Sequence, residues 1–349
     1  MPAVTAEPAR NPTLSIYDLA KHLGISSGTV SRALNNRPDV SPATRQRVLA
    51  AAVELGFSPS PLARGLARNR SQAVGVIIPS IDDPFFLAFA RGVQEAVSPA
   101  GLAVVLSFAD TREALAAAVK SFVDFRAAGI LVLGGSAESD EHVAALSART
   151  PIVVALRKAH HAEFSSVFVD HEAGARAMVE LLRARGRNNI AFVSLPLASQ
   201  AAQERMHGYR GAARYSDPAF TVVAAGSGFL DGADATAELL SRPGAESIDA
   251  LFYASDALAA GGLHVLSERG IVVPDSIAVA GFGDIDSSAV TVPSLTTARV
   301  PMYEVGERAA SLLIDLIEGH TVGAEDVELP LEVVERKSTQ QKGSTHAAP

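Results

Sequence analysis

The sequence of 349 residues contains no cysteine, which excludes disulfide bonds and thiolate metal sites. It also has no apolar run of about 18 residues, the length that a membrane-spanning helix needs. The first residues, MPAVTAEPARNP, lack the apolar centre of a secretory signal. These absences predict a cytoplasmic protein without a membrane partner.

The motifs of common enzymes are missing as well. The chain has neither a GxxxxGK[ST] phosphate loop nor a GxSxG nucleophile elbow. His160 and His161 have no second ligand pair at metal-binding spacing, so no metal is expected. Asp82 and Asp83 are adjacent, and on an extended chain they would point to opposite faces. We therefore expect neither catalysis nor a cofactor.

Charge is unevenly distributed along the chain. The formal net charge is −8, yet residues 1–70 carry nine Lys and Arg against four Asp and Glu. Their excess of five positive charges leaves −13 for the remainder. A basic segment before an acidic body favours a polyanion such as nucleic acid as the partner of that segment. A solvated basic surface without a partner is the alternative.

Three short helices are predicted near the N-terminus. The first is indicated by apolar residues at helical spacing, namely Ile16, Leu19, Ala20 and Leu23. Ser15 is placed to cap this helix, and Gly24 suits the left-handed residue at its end. Ser26 caps a second helix, and Ser41 followed by Pro42 begins a third. Two short helices joined by a glycine-containing turn are typical of a helix-turn-helix.

The second helix presents a polar surface. Val30, Ala33 and Leu34 fall on the side that packs against the first helix. The candidates for DNA contact are Ser26, Ser27, Gly28, Thr29, Ser31, Arg32 and Asn35. Small polar residues at a helix N-terminus let the backbone approach phosphates and base edges, and Arg32 can pair with guanine in the major groove. The alternative is an ordinary helical bundle with an exposed cap.

A short basic segment, GFSPSPLARGLARNRS, occupies residues 56–71. It is too short for a stable isolated helix and could become ordered on a partner. Ala63, Arg64 and Leu66 are candidates for contact with the minor groove, where Leu66 would wedge between base pairs. The alternative is a plain interdomain linker.

From residue 73 onward, apolar runs such as AVGVIIP, GILVLG and SIAVAGFG alternate with amphipathic segments. This alternation predicts parallel sheets covered by helices. About ten predicted strands are too many for one sheet, so we expect two doubly wound lobes. A ligand cleft is expected where the carboxyl ends of their strands face each other.

The N-terminal part of the chain contains six short motifs, each once and in this order: DLA, GIS, TVSRALN, VSPATRQRV, ELGFSP and LARGL. Together they resemble the DNA-binding domain of the LacI (lactose repressor) family. The resemblance implies that Ser27, Gly28 and Arg32 lie in the major groove of an operator. It also implies that Leu66 is the hinge-helix leucine inserted at the operator centre.

The rest of the chain resembles the periplasmic-binding-protein-like core of that family, through VGVIIPSIDDPFFLAFARGVQEA, SVFVDHEAGARAMVELL and PSLTTARVPMYEVGERAASLL. The expected fold is an N-terminal all-α helix-turn-helix domain plus an α/β core of two doubly wound parallel-sheet lobes. The predicted segments are a flexible tail (1–13), the helix-turn-helix domain (14–58), a hinge helix (59–71), an effector-binding core (72–337) and a disordered tail (338–349). The first lobe is predicted at about 72–166 and 296–326, and the second at about 167–295 and 327–337.

The resemblance also places a small-molecule effector in the cleft, in contact with Asp83, Phe85, Phe86, Arg157, Arg205, Asp256 and Asp284. A phenylalanine ring could stack on a sugar, and an arginine could clamp a hydroxyl or carboxylate through two hydrogen bonds. The alternatives are core phenylalanines, a surface arginine at 205, and an aspartate at 256 that only caps a helix.

Two positions depart from the family pattern. Leu156 and Gly283 stand where the family often has aspartates. With Arg157 and Arg205 kept, the loss of two carboxylates tilts the predicted cleft toward positive charge. We therefore hypothesise an anionic effector, either a sugar acid such as gluconate or a sugar phosphate. The motif GFGDID also resembles gluconate-type regulators.

The predicted function is a sequence-specific transcriptional regulator, acting as a repressor. It would bind a pseudo-palindromic double-stranded DNA operator as a homodimer, under the control of a sugar or sugar-acid effector. A solute-binding protein of a transport system would share the core but not the basic N-terminal segment. A sugar-processing enzyme would need catalytic motifs that the sequence lacks.

Overall fold

The computed structural model describes residues 14–34, 37, 39–57, 71–81, 83–147, 150–213, 220–320 and 323–340. The chain divides into two compact units, Met1–Ser71 and Gln72–Pro349. No helix in these described ranges is long and apolar enough to cross a membrane. Residues 59–70 of the predicted hinge helix, the N-terminal tail and Asn35 lie outside the described residues.

The first unit is a small bundle of three helices, α1 (Ile16–Leu23), α2 (Ser27–Leu34) and α3 (Pro42–Glu54). Ser15 and Asp18 form a reciprocal capping box at α1, and Gly24 adopts the left-handed conformation at its end. Leu19, Val30 and Val48 are fully buried at the centre. The predicted helix-turn-helix is therefore confirmed.

The second unit contains two six-stranded sheets. The first sheet has the order β11-β5-β4-β3-β1-β2 and is entirely parallel. Its strands are β1 (Ala73–Ile78), β2 (Ala103–Phe108), β3 (Gly129–Leu133), β4 (Ile152–Ala155), β5 (Ser165–Phe168) and β11 (Asp326–Glu328).

The second sheet has the order β12-β10-β9-β8-β6-β7, with only the β10–β12 pair antiparallel. Its strands are β6 (Ile190–Ser194), β7 (Thr221–Val223), β8 (Ala250–Tyr253), β9 (Ala278–Gly283), β10 (Thr296–Arg299) and β12 (Glu332–Val334). The two doubly wound lobes expected from the alternation of strands and helices are confirmed.

Helices cover both faces of each sheet. Those of the first lobe are α4 (Pro84–Val97), α5 (Arg112–Asp124), α6 (Ala137–Ser147) and α11 (Met302–Glu318). Those of the second lobe are α7 (His171–Ala184), α8 (Gln200–Ala212), α9 (Phe229–Leu239) and α10 (Asp256–Glu268). Short 3-10 helices occupy Ser98–Ala100, Ala245–Ser247 and Asp286–Ala289. Helices α4 and α11 pack together, as do α7 with α8 and α9 with α10.

Alternate residues of the central strands enter different cores. In β1, Val76 joins the cluster beneath α4 and α11, whereas Ile77 joins the cluster beneath α5. Gly75, two residues before Ile77, lies on the same α5 side, where an added Cβ would meet the Phe122 ring at 2.5 Å. The glycine therefore lets Phe122 lie directly on the sheet.

The lobe boundaries differ from the prediction. Strand β10 was assigned to the first lobe, within 296–326, but it pairs with β9 in the second sheet. Likewise, β5 belongs wholly to the first sheet, although 167–295 was assigned to the second lobe. The chain therefore crosses after Phe168, after Arg299, and between Glu328 and Glu332. Strand pairing places β10 in the second lobe, where Thr297 is also buried and its hydroxyl donates to Asp256.

The predicted disordered tail begins too early. Ser338 and Thr339 are fully buried. The Ser338 hydroxyl donates to the Val279 carbonyl over 2.6 Å and accepts from the Thr296 N–H at 2.8 Å. Polar residues can be buried here because their hydroxyls find partners on β9 and β10. Residues 341–349 lie outside the described residues.

Candidate functional site

The N-terminal half of α2 carries the candidate nucleic-acid surface. The Ser26 hydroxyl accepts from the Thr29 N–H at 3.1 Å and lies 2.9 Å from the Thr29 hydroxyl. Ser27 and Ser31 are half-buried, whereas Gly28 and Arg32 are exposed. The structure thus brings together the predicted residues of α2. Ala63, Arg64 and Leu66 lie outside the described residues, as does Asn35.

The Arg32 side chain is held by an exposed ion pair. Its Nε lies 3.3 Å from Oδ2 of Asp39, and each side chain is about half exposed. Exposed pairs of this kind contribute roughly 0–1 kcal/mol and are screened by salt. The ion pair therefore orients the guanidinium. Because the pair is weak, breaking it to contact a polyanion costs little free energy.

A cavity lies between the two lobes of the second unit, with a volume of about 90 Å³. It is mainly apolar. The predicted residues that line it are Asp83, Phe85, Phe86, Arg205 and Asp256. They come from the start of α4, from α8 and from the start of α10, so side chains of both lobes meet there.

Asp83 and the two phenylalanines form the wall on the first lobe. The Asp83 carboxylate caps α4 by accepting from the Phe85 N–H at 3.0 Å. Burial raises the pKa of Asp83, and the hydrogen bond to Phe85 opposes that rise. The Phe85 and Phe86 rings meet edge to face, with centroids 5.5 Å apart. Both rings are partly buried beside the cavity, so they serve packing and remain accessible from it.

Arg205 forms the opposite wall and is only 4% exposed. Its guanidinium lies 4.0 Å from the centroid of the Phe282 ring and donates through Nη1 to the Ala254 carbonyl. Nε and Nη2 each lie 3.4 Å from Nδ1 of His171. Burial lowers the pKa of Arg205 to about 10, and among the nearby carboxylates Asp256 opposes this fall most. The side chain therefore stays positive at neutral pH.

Asp256 is buried and fully engaged by the protein. It accepts from the Thr297 hydroxyl at 2.6 Å, the Ser288 hydroxyl at 2.8 Å and the Ile285 N–H at 3.0 Å. Burial raises its pKa, and these hydrogen bonds work against that rise. The alternative that Asp256 caps α10 is wrong, because Ser255 accepts from the N–H of the first turn.

The structure does not bring Arg157 to the cavity. Arg157 is 1% exposed, forms two hydrogen bonds with the Asp140 carboxylate and donates to the Gly134 carbonyl over 2.7 Å. The cause is a left-handed turn at Leu156, with φ of 72°, which puts the Leu156 side chain against the cavity. The hypothesis of a positive cleft therefore loses one of its two arginines.

Asp284 is likewise placed away from the cavity. Its carboxylate bonds Arg299 Nε and Arg336 Nη2, each at 2.7 Å. Asp284 has a φ of 58° and follows Gly283, whose φ of 136° few side chains could adopt. This backbone course turns the carboxylate toward the two arginines, where it joins β10 to the segment after β12.

Sequence reasoning missed Leu156, Phe282 and Ile285, which all line the cavity. It also missed His171, which underlies Arg205. Phe282 stands in the GFGD motif, which therefore marks the cavity in the sequence through its phenylalanine rather than through Asp284. No pattern of sequence distinguishes His171 from other residues that open a helix.

Two family models match the chain. One, for bacterial regulatory proteins of the lacI family, matches residues 15–60. The other, for a periplasmic binding protein-like domain, matches residues 179–339. The first covers the helix-turn-helix, and the second covers most of the second lobe together with β10 to β12.

Curated relatives match over nearly the whole chain. Catabolite control protein A of Priestia megaterium is 32% identical over 94% of this chain and 99% of its own length. The transcriptional repressor CytR of Escherichia coli K12 is 32% identical over 93% and 96%. The regulator GntR of Pseudomonas aeruginosa is 30% identical over 94% and 96%. All three are regulators rather than enzymes, and GntR matches no better than the others.

Solved structures share the fold. The lac repressor dimer, bound to operator and the anti-inducer ONPF, superimposes with a TM-score of 0.83 at 26% identity, over 94% of this chain and 99% of that chain. A complex of the transcriptional regulator CelR with cellobiose gives a TM-score of 0.69 at 28% identity, over 93% and 99%.

Proposed function

This chain belongs to the LacI family of bacterial transcriptional regulators, and from that premise we propose that it represses transcription as a homodimer on a pseudo-palindromic operator. The observation that carries the proposal is a capped helix α2 with an exposed Arg32, in a compact unit of its own. The relatives that match the whole chain are regulators. Such a protein works in the cytoplasm, where its operator lies.

In the proposed complex, Arg32 leaves Asp39 and pairs with a guanine edge in the major groove. The backbone at Gly28 approaches a phosphate, since no side chain stands between them. The segment that holds Ala63, Arg64 and Leu66 enters the minor groove at the operator centre, where Leu66 separates two base pairs. Asn35, the next residue in the sequence after Leu34, completes the proposed contact set.

An apolar strip on β2 supports the homodimer. Strand β2 is an edge strand, and Val105, Leu106 and Phe108 are each more than a third exposed. Exposed apolar patches of this kind are typical of protein–protein contacts. Two copies would give two α2 helices, and their symmetry would match that of a palindromic operator.

The cavity is proposed to hold the effector, a small molecule that carries several hydroxyls and one acidic group. Arg205 offers two N–H groups, one on Nη1 and one on Nη2, to which no described residue is an acceptor. Asp83 can accept a hydroxyl, and Phe85 offers an apolar face. Because Arg157 is paired with Asp140, the acid preference rests on Arg205 alone. The related CelR–cellobiose complex supports a sugar-like ligand.

Effector binding is proposed to alter the angle between the lobes and thereby the affinity for the operator. The two affinities are then linked reciprocally, with a typical coupling of about 1–3 kcal/mol. The test begins with selection of bound duplexes from a random pool by the full-length protein. A thermal-shift screen of sugars, sugar acids and sugar phosphates follows, and any stabilising compound is added to the operator titration. Binding of selected and random duplexes with equal affinity would refute the repressor proposal.

A further inference from the structure

His171 joins Arg205, on the second-lobe wall of the effector cavity, to the first lobe. It is the first residue of α7, which packs on α8 in the second lobe, and its side chain is fully buried. Its Nε2 lies 2.9 Å from the carbonyl oxygen of Leu156, which directly follows β4 of the first lobe. Its Nδ1 lies 3.4 Å from two nitrogens of Arg205.

The partners of the two ring nitrogens fix the tautomer. A carbonyl oxygen only accepts, so Nε2 of His171 carries the proton and donates to Leu156. Arg205 only donates, so Nδ1 is bare and accepts. Burial, followed by the positive charge of Arg205, lowers the pKa of His171 well below its ordinary value, which agrees with a neutral ring.

Both ends of this chain of hydrogen bonds touch the cavity. Arg205 lines it from the second lobe, and the Leu156 side chain lines it from the first. Leu156 holds a left-handed conformation that is uncommon for a leucine, with φ of 72°. On its far side, Arg157 is locked to Asp140 of α6. A movement of the Leu156 turn would therefore be passed to the end of β4 and to α6.

We propose that His171 is a positioning residue that couples occupation of Arg205 by the effector to the Leu156 turn of the first lobe. This inference rests on the proposed function, because it assigns a path within the effector-responsive core. A ligand that bonds the unoccupied edge of Arg205 shifts the guanidinium, and the imidazole transmits that shift to the Leu156 carbonyl. His171 itself does not contact the effector.

The coupling can be tested in the full-length protein without effector or DNA. R205M removes the guanidinium, and hydrogen exchange of peptides that span residues 152–160 reports on the Leu156 turn. We expect R205M to accelerate exchange there about fivefold, the effect of losing one net hydrogen bond. In an H171F background the further acceleration by R205M falls below about twofold, whereas independent sites would keep the full fivefold effect.

Two conservative variants test the hydrogen bond to Leu156 and the hydrogen bond to Arg205 separately. They also keep the test valid if H171F does not fold. H171Q keeps a donor near the position of Nε2, so the turn stays protected but no longer responds to R205M. H171N keeps an acceptor near the position of Nδ1 but cannot reach Leu156, so the turn exchanges about fivefold faster and does not respond either.

The ring nitrogens give an independent readout that a merely space-filling side chain would not. Nitrogen chemical shifts of His171 are expected to show protonated Nε2 and bare Nδ1. Three results would each overturn the proposal. They are the opposite tautomer, no acceleration by R205M in the otherwise native protein, and undiminished acceleration by R205M in H171N and H171Q. Because these measurements need no DNA, such a failure leaves the repressor proposal standing, and loss of operator binding would leave the coupling untouched.

Discussion

The hydroxyl of Thr297 lies 2.6 Å from the carboxylate of Asp256 and donates a hydrogen bond to it beneath the effector cavity. This bond ties β10 to the first turn of α10. Asp256 accepts two further hydrogen bonds, from Ser288 and Ile285. A carboxylate that is buried so deeply needs these donors to remain charged.

Replacement of Thr297 by valine keeps the shape and removes the donor. We expect T297V to lower the free energy of unfolding by about 1–3 kcal/mol at neutral pH, because a hydrogen bond to a charged buried group is lost. Urea denaturation measures this change. T291V is the matched control, since the Thr291 hydroxyl bonds only backbone carbonyls near the surface loop.

The same variant should show a defined pH dependence. Folding raises the pKa of Asp256, so its contribution favours the folded state below the unfolded pKa and is lost as pH rises through the folded pKa. T297V raises that pKa further, because a donor to the charged form is gone. The stability difference between T297V and the native protein should therefore grow as pH rises through the folded pKa of Asp256. A difference independent of pH would contradict a charged Asp256.

Arg32 should carry sequence preference rather than bulk affinity. We expect R32A to reduce discrimination at one operator position by about 1–3 kcal/mol. Its effect on folding stability should stay below about 1 kcal/mol, because the ion pair with Asp39 is exposed. Binding-site selection with each variant measures the preference. R47A, which removes another exposed arginine, should change affinity evenly across sequences, and an unchanged preference in R32A would count against base reading.

Arg157 should matter for folding rather than for effector specificity. R157M leaves the buried Asp140 carboxylate without its partner, and such losses cost about 3–5 kcal/mol. The double variant R157M/D140L removes both charges and should recover most of that loss. Thermal and urea unfolding measure both variants. If R157M were as stable as the native protein and its effector selectivity changed, Arg157 would have to contact the effector, which would contradict this account.

The C-terminal contacts of Ser338 and Thr339 should contribute to the second lobe. Truncation after residue 337 removes their hydroxyls and leaves the Val279 carbonyl without its donor. We expect a loss of about 1–3 kcal/mol in unfolding free energy. Truncation after residue 340 keeps both residues and serves as the control. Equal stability of the two truncated chains would show that the buried hydroxyls contribute nothing.

The sequence was sufficient for the features that depend on local chemistry. The caps at Ser15, Ser26 and Ser41 and the left-handed Gly24 follow from residue type and spacing, and each is present. The alternation of strands and helices was likewise sufficient for two parallel-sheet lobes. These predictions rest on interactions between residues that are close in the chain.

Features that depend on distant partners were not predictable in the same way. The sequence predicts Arg157 as a cavity residue, but a left-handed turn at Leu156 directs its side chain to Asp140. Sequence patterns rarely indicate a left-handed leucine. Strand β10 joins the second sheet by pairing with β9 and β12, and its Thr297 bonds Asp256, 41 positions away in the chain. His171 joins partners at 156 and 205, and no local pattern reports such a link.

The central claim is tested most directly by fluorescence anisotropy with the purified full-length protein. A symmetric duplex recovered by selection is compared with a scrambled duplex of the same composition, at several salt concentrations. We predict at least about a thousandfold tighter binding to the symmetric duplex at physiological salt, weakening steeply as salt rises. Equal affinity for the two duplexes would contradict the account.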